Sequence, residues 1–184
     1  MIKIIIFIAY FISLYLVIFW LLVLLEKGIK TKPKKLKNFP MVTICVPAYN
    51  EEKTIVETIL SILKLDYPHE KVELLVVNDG SKDHTQEVTT NLIKEYPHRN
   101  IILINQQNKG KGAAMNNALN IAKGDFFIPL DADSIVEKNA LKVLLPHFHT
   151  PNVAAVLPMI RIQHKSTLMR KIQHCEYLIN FFYK

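Results

Sequence analysis

From residue 42 onward, short apolar runs alternate with longer stretches in which apolar residues return every three or four positions. "VTICV" is a β-branched run and predicts a strand. After Pro47 to Asn50, "EEKTIVETILSILKL" places Ile55, Ile59, Ile62 and Leu63 at helical spacing, with Asn50 set to cap. "VELLVV" predicts a second buried strand, followed by "NDGSKDHTQEVTTNLIKEY", a turn leading into a helix. "NIILIN" predicts a third strand, and "KGAAMNNALNIAKG" a helix that Gly124 is placed to end. "DFFIPL" reads as the fourth strand, "KNALKVLLPHF" as a helix and "NVAAVLP" as a further strand. Strands alternating with single helices predict an α/β fold, a mostly parallel twisted sheet with helices on both faces. Ligands of such sheets bind outside the carboxyl ends of the strands. The polar clusters "PAYNE", "NDGS" and "DADS" fall at those ends, after the first, second and fourth strands.

The two ends of the chain follow other patterns. Ile4 to Leu25 is 22 residues without a charge. As a helix it is about 33 Å long, enough to cross a hydrocarbon core of roughly 30 Å. It has no polar face, as a core helix would, and its apolar stretch outlasts a signal peptide's, so a retained transmembrane helix is expected. The last stretch, "STLMRKIQHCEYLINFFYK", aligns Leu168, Ile172, Cys175, Ile179 and Phe182 on one helical stripe, with Arg170, Lys171 and Lys184 among them. Such a helix either packs on the domain or lies on a membrane surface. The expected layout is a transmembrane helix over 1–25, a basic linker over 26–40, a ligand-binding domain over 41–165 and an amphipathic helix over 166–184.

Charge changes the picture by where it sits. The net charge of +7 invites a nucleic-acid partner. Residues 1–40, however, hold seven lysines against Glu26, whereas residues 41–184 hold 16 basic against 15 acidic side chains. The excess is juxtamembrane, in "KGIKTKPKKLKNFP". It reads as a positive-inside signal that also attracts anionic headgroups, and nucleic acid is excluded as a partner. The amino terminus is expected outside and everything after residue 26 in the cytoplasm. Cys45 and Cys175 both fall in apolar patterns and read as packed, reduced thiols.

In "FIPLDADSI", Asp131 and Asp133 stand one residue apart where a buried strand surfaces. Like charges at that spacing repel unless a cation lies between them. A solvated turn is the plainer reading and a divalent-metal site the sharper one. A helix-loop-helix Ca²⁺ site counted from Asp131 needs Gly and Glu where Val136 and Lys142 stand, so that reading fails. An aspartyl phosphatase needs acidic ligands downstream, and no Asp follows Asp133. "NKGKGAAMNN" lacks the Gly-Lys-Ser/Thr of a phosphate loop, yet Lys109 and Lys111 beside a helix start suit an anion. "HFH" at His147 to His149 sits at a helix end, where a solvated His is ordinary, and His164 and His174 have no evident partner.

Taken in order, "VPAYNEE", "VVNDGSKDHT", "NKGKGAAMNNAL" and "GDFFIPLDADS" resemble the family 2 glycosyltransferases, inverting enzymes that use nucleotide-activated sugars. The likeness is to their membrane-embedded polysaccharide synthases of the cellulose, chitin, hyaluronan and poly-N-acetylglucosamine group. It covers roughly residues 41–165 and implies a Rossmann-like nucleotide-sugar-binding domain of the GT-A type. By resemblance Tyr49 lies against the base, usually uracil, with Pro47, Asn50 and Glu51 in the same pocket wall. Asp79 accepts a hydrogen bond from the base, and Lys111 meets the diphosphate. Asp133 binds Mg²⁺ or Mn²⁺ directly, and Asp131 orients the sugar or its diphosphate while sharing the metal site. The implied partners are a UDP-sugar, the bilayer and a polysaccharide or lipid acceptor. A single transfer to a polyprenyl phosphate shares these donor motifs and stays open.

The acceptor half of such a site is missing. In the resembling family the base is an Asp of a later motif, but the only acidic residues after Asp133 are Glu137 and Glu176. The later Gln-x-x-Arg-Trp segment is absent too, the single Trp being Trp20 in the apolar helix. The favoured account is an amino-terminal fragment of a longer enzyme. A split enzyme completed by a partner chain and a non-catalytic donor-binding subunit remain as alternatives.

Overall fold

A computed structural model describes residues 2–25, 36, 38–162 and 167–182. The linker lysines Lys27, Lys30, Lys32, Lys34, Lys35 and Lys37, together with His164 and Lys184, lie outside these residues. The chain divides into two compact units, Met1–Pro33 and Lys34–Lys184. The first holds helix α1 (Ile2–Leu25), long and apolar enough over Ile2–Leu22 to cross a membrane, with a mean hydropathy of 2.7.

The second unit is built on four parallel strands: β1 (Val42–Ala48), β2 (Val72–Asp79), β3 (Ile101–Gln106) and β4 (Phe126–Pro129). Their spatial order is β3-β2-β1-β4, which puts the first two strands in the middle. Helices α2 (Ile55–Leu63), α3 (Thr85–Glu95), α4 (Lys111–Ile121) and α5 (Ala140–Leu144) follow β1, β2, β3 and β4 in turn. The strand alternation of period two decides what each face carries. Val42, Ile44 and Val46 of β1 and Leu74 and Val76 of β2 pack against Ile55, Ile59 and Ile62 of α2, Leu92 of α3 and Leu141 of α5. Cys45, Leu75 and Val77 point the other way, onto Ala114 and Ala118 of α4. Small residues on α4 let that helix lie close to the sheet. Burial pushes the Cys45 thiol up to about 11, so it is an inert, protonated core group.

One polar bracket lies inside the β-branched runs, at the amino ends of the strands. Glu73 is fully buried; its Oε2 accepts from Thr43 Oγ1 at 2.7 Å and from the Lys123 amide at 3.0 Å. Its Oε1 has no hydrogen-bond partner among the described residues. The Gly124 amide donates to Thr43 Oγ1 at 2.9 Å, and a Cβ on Gly124 would stand 2.4 Å from the Thr43 nitrogen. Gly124 is therefore required by close approach to β1 and does not end α4, whose C-cap is Ala122.

Three further sequence expectations are corrected. Asn50 does not cap α2, whose N-cap position is Thr54 without a side-chain capping hydrogen bond, and Asn50 sits in the left-handed region at φ 57°. "NVAAVLP" forms no strand, since a strand exists only through pairing and this run, bracketed by Pro151 and Pro158, pairs with none of the four. Helix α6 (Leu168–Phe182) forms where the stripe predicted it, but Leu168, Ile172 and Cys175 are exposed on it. Cys175 is thus no packed thiol, because the described part of its stripe, Leu168, Ile172 and Cys175, faces outward.

Candidate functional site

Four parallel strands end on the same side, and each ends in a polar segment that the register aligns. Ala48 lies beside Asn78, Asn78 beside Asn105, and Cys45 beside Pro129. The loops after β1 and β2 are stitched together. The Asn50 amide donates to Ser81 Oγ at 3.0 Å, and Asn50 Oδ1 accepts from the Lys82 amide at 2.8 Å. The left-handed backbone at Asn50, tolerated by Asn better than by most residues, turns both groups toward the second loop. The Glu51 amide donates to Thr85 Oγ1 at 2.8 Å, and the Glu51 carboxylate accepts from Thr54 Oγ1 at 2.6 Å. Asp83 accepts from the Glu52 and Thr85 amides, at 3.1 and 3.0 Å. Burial alone would raise the Asp83 pKa; the hydrogen bonds from Thr85 and Glu52 outweigh it and hold the carboxyl below its ordinary range. Tyr49 stands 44% exposed at the mouth of β1, with Pro47 half-buried behind it.

Asp79 ends β2 and is 4% exposed. Its Oδ1 accepts from Gln106 Nε2 at 2.7 Å and the Lys109 amide at 2.9 Å, and its Oδ2 accepts from the Gly110 amide at 2.8 Å. Burial would raise its pKa, but these three donors prevail and lower it. Asn117 Nδ2 donates to Gln106 Oε1 at 3.0 Å, so the bracket extends onto α4. Asp79 thereby fixes the loop that starts α4, where Gly110 has φ 87°. Gly80, at φ 73°, is needed as well, since a Cβ there would stand 2.8 Å from the Asn108 nitrogen.

The carboxylate pair sits on a turn pinned from two sides. The Leu130 amide donates to the Cys45 carbonyl at 2.9 Å and the Ser134 amide to the Asp131 carbonyl at 3.0 Å. Helix α2 holds the same turn, with Thr58 Oγ1 donating to the Ala132 carbonyl at 2.7 Å and Ser61 Oγ accepting from the Val136 amide at 3.1 Å. Ala132 is buried, and Asp131 and Asp133 on either side are exposed. The small residue between the acids is therefore what sinks the turn into the domain while both carboxylates face out. Lys111, the first residue of α4, extends its ammonium to Asp131 Oδ1. The Asp133 carboxylate accepts from the Ser134 hydroxyl at 3.5 Å and forms no ion pair among the described residues.

Of the residues singled out in the sequence, Lys111 and Asp131 touch directly, and Asp79 is joined to Lys111 through the loop between them. Asn50 and Glu51 are built into the β1–β2 loop seam. Sequence reasoning missed Thr58 and Ser61, whose partners Ala132 and Val136 lie more than 70 residues away and leave no local signal, and Asp83 and Thr85, which pair locally with each other but whose partners Glu52 and Glu51 lie more than 30 residues away. Among the described residues no group of three or more His, Cys, Asp or Glu gathers for a metal. A donor set of two exposed carboxylates, one already holding a cationic group, nonetheless fits a hard ion such as Mg²⁺ or Mn²⁺. These ions take one or two protein carboxylates and complete their shell with phosphate and water.

Comparison with known proteins gives the family and agrees with the fold. A family model described as "Glycosyl transferase family 2" matches residues 43–184. The poly-beta-1,6-N-acetyl-D-glucosamine synthase of Staphylococcus aureus strain COL is 37% identical over 138 residues, 74% of this chain and 32% of that protein. The synthase of the same name from Staphylococcus epidermidis is 31% identical over 150 residues, 81% of this chain and 35% of that protein. The chain thus spans about a third of the length of the curated relatives it matches. Among solved structures, mannosyltransferase PcManGT from Pyrobaculum calidifontis, in complex with GDP-Man and Mn²⁺, superposes with a TM-score of 0.67 at 28% identity, covering 73% of this chain and 40% of that one. S. aureus TarS 1-349 in complex with UDP-GlcNAc gives 0.51 at 33% identity, covering 55% of this chain and 29% of that one.

Proposed function

The chain belongs to glycosyl transferase family 2, and from that premise we propose that it supplies the donor site of an inverting transferase that passes a sugar from a UDP-sugar to a growing polysaccharide at the cytoplasmic membrane face. The observation that carries this reading is the convergence, at one end of the sheet, of Tyr49, the Asp79-held loop, Lys111 and the Asp131–Asp133 turn. Relatives named as polysaccharide synthases favour a polymer product over a single transfer.

In this reading Tyr49 stacks on the base, with Pro47, Asn50 and Glu51 forming the pocket wall. Asp79 Oδ2, which accepts one hydrogen bond among the described residues, keeps capacity for a donor on the base. Lys111 and the amino terminus of α4 receive the diphosphate. Asp133 holds the metal directly, and Asp131 orients the sugar or its diphosphate. A bound Mg²⁺ or Mn²⁺ supplies charge neutralisation for the leaving nucleoside diphosphate. Helix α1 crosses the bilayer with its amino terminus outside, and the lysines after it hold the domain at the inner face. Helix α6, with Leu168, Met169 and Ile172 exposed beside Lys171, lies on that face.

The deciding experiment is calorimetric titration of UDP into the full chain in detergent, with and without Mn²⁺. Asp133→Asn should remove the Mn²⁺-dependent part of the affinity while leaving circular dichroism and the melting temperature unchanged. Unchanged Mn²⁺-dependent affinity in that variant would falsify the metal assignment.

A further inference from the structure

We propose that Lys111 is a resident cation on Asp131 which the donor diphosphate draws away, so that nucleotide and divalent metal bind cooperatively. This inference rests on the donor-site reading above. The two side chains meet although 20 residues separate them, and each backbone is held independently of the contact. Asp79 fixes the amides of Lys109 and Gly110, and with them the start of α4. The Cys45 carbonyl and helix α2 fix the turn that carries Asp131. Only the two side chains are left to exchange partners.

Exchange is easy because the pair is wet. Both side chains are 57% exposed, and an exposed ion pair shifts an equilibrium by no more than about fivefold. A carboxylate occupied by an ammonium is nevertheless a poorer ligand for a second cation. The two carboxylates are thereby unequal: among the described residues Asp131 carries Lys111, whereas Asp133 meets the Ser134 hydroxyl and no cation. A diphosphate at the amino terminus of α4 offers Lys111 a denser negative charge than one carboxylate does. Once the ammonium turns to the phosphates, Asp131 is free for the metal site. By linkage, the factor by which nucleotide tightens metal binding equals the factor by which metal tightens nucleotide binding.

The test reads binding alone. Free Mn²⁺ is followed by electron paramagnetic resonance in titrations of the full chain in detergent, with and without UDP. Wild type is compared with Lys111→Met and Lys109→Met. Lys111→Met should bind Mn²⁺ alone about two- to fivefold more tightly than wild type, and UDP should then add correspondingly less. Lys109→Met removes the same charge from the same loop without the Asp131 contact, and should leave Mn²⁺ affinity unchanged. Equal tightening in both variants, or none in Lys111→Met, overturns the proposal. Mn²⁺–UDP cooperativity that survives Lys111→Met intact sinks this inference alone. A wild-type chain that binds neither ligand sinks the donor-site reading and this inference with it.

Discussion

Replacing Asp79 with Ala removes the acceptor for three donors: Gln106 Nε2 and the amides of Lys109 and Gly110. A hydrogen bond to a charged group contributes about 1.5–3 kcal/mol net. The three share one carboxylate, and residues 107–110 are exposed, so water replaces part of what is lost. The local cost is therefore about 2–4 kcal/mol rather than the sum of three separate bonds. At 1.4 kcal/mol per factor of ten, the amides of Lys109 and Gly110 should exchange with deuterium roughly 30- to 1,000-fold faster. Site-resolved hydrogen exchange on the full chain in detergent measures this directly. Asp79→Asn should fall between, because its NH₂ faces one of the amides it would need to accept from. The pH dependence has a definite sign. The folded pKa lies below the unfolded value of about 3.9, so the stabilisation is fully present above that value and is lost as pH falls through the folded pKa. The opening free energy of the loop should be flat between about pH 5 and 8. Exchange in Asp79→Ala within threefold of wild type would refute the idea that this carboxylate holds the loop.

Gly124→Ala should cost about 2–3 kcal/mol or prevent folding, since its Cβ meets the Thr43 nitrogen at 2.4 Å and neither backbone can yield; a urea midpoint shift reports it. Glu73→Leu should lower stability by roughly 2–4 kcal/mol in the same assay, because the Lys123 amide and Thr43 hydroxyl lose their acceptor. Glu73→Gln keeps an oxygen for both and should stay within about 1 kcal/mol of wild type. Tyr49→Ala should weaken UDP binding by the same factor with and without Mn²⁺, since stacking on the base does not involve the ion; a metal-dependent change would remove Tyr49 from the base pocket.

The alternation of apolar runs was enough to read four parallel strands and the helices between them, because burial on both faces leaves a β-branched run and a wound helix leaves a stripe. The site was less legible. Asp131 and Asp133 stand out as two acids ending an apolar run, but Ala132 looks like a spacer and is in fact the residue that seats the turn. Thr58 and Ser61 read as ordinary polar positions on α2, whereas their hydroxyls hold Ala132 and Val136. Asn50 offers a capping side chain in sequence; the fold uses its left-handed backbone instead, to tie β1's loop to β2's. Glu73 was hidden inside "VELLVV", because nothing in an apolar run announces that its one acid will find Thr43 on a neighbouring strand. Each of these roles depends on a partner at least 30 residues distant, beyond any local pattern.

The strand order has a consequence for synthesis. Strand β1 is made first yet takes partners on both sides, and the second of them, β4, begins only at Phe126. Until the ribosome has released that segment, one edge of β1, the backbone of Val42 to Cys45 that β4 will pair, stands open in a nascent chain. Unpaired apolar edges are where chains stick to one another. Closing this one also means bringing together residues some 84 positions apart, as the Asp125 carboxylate and Met41 amide do, which makes it a late and slow step. A translational pause or a chaperone would therefore matter most while residues 49 to 125 are emerging, when Cys45, Thr58 and Ser61 are made but the turn bearing Asp131 and Asp133 that docks on them is not.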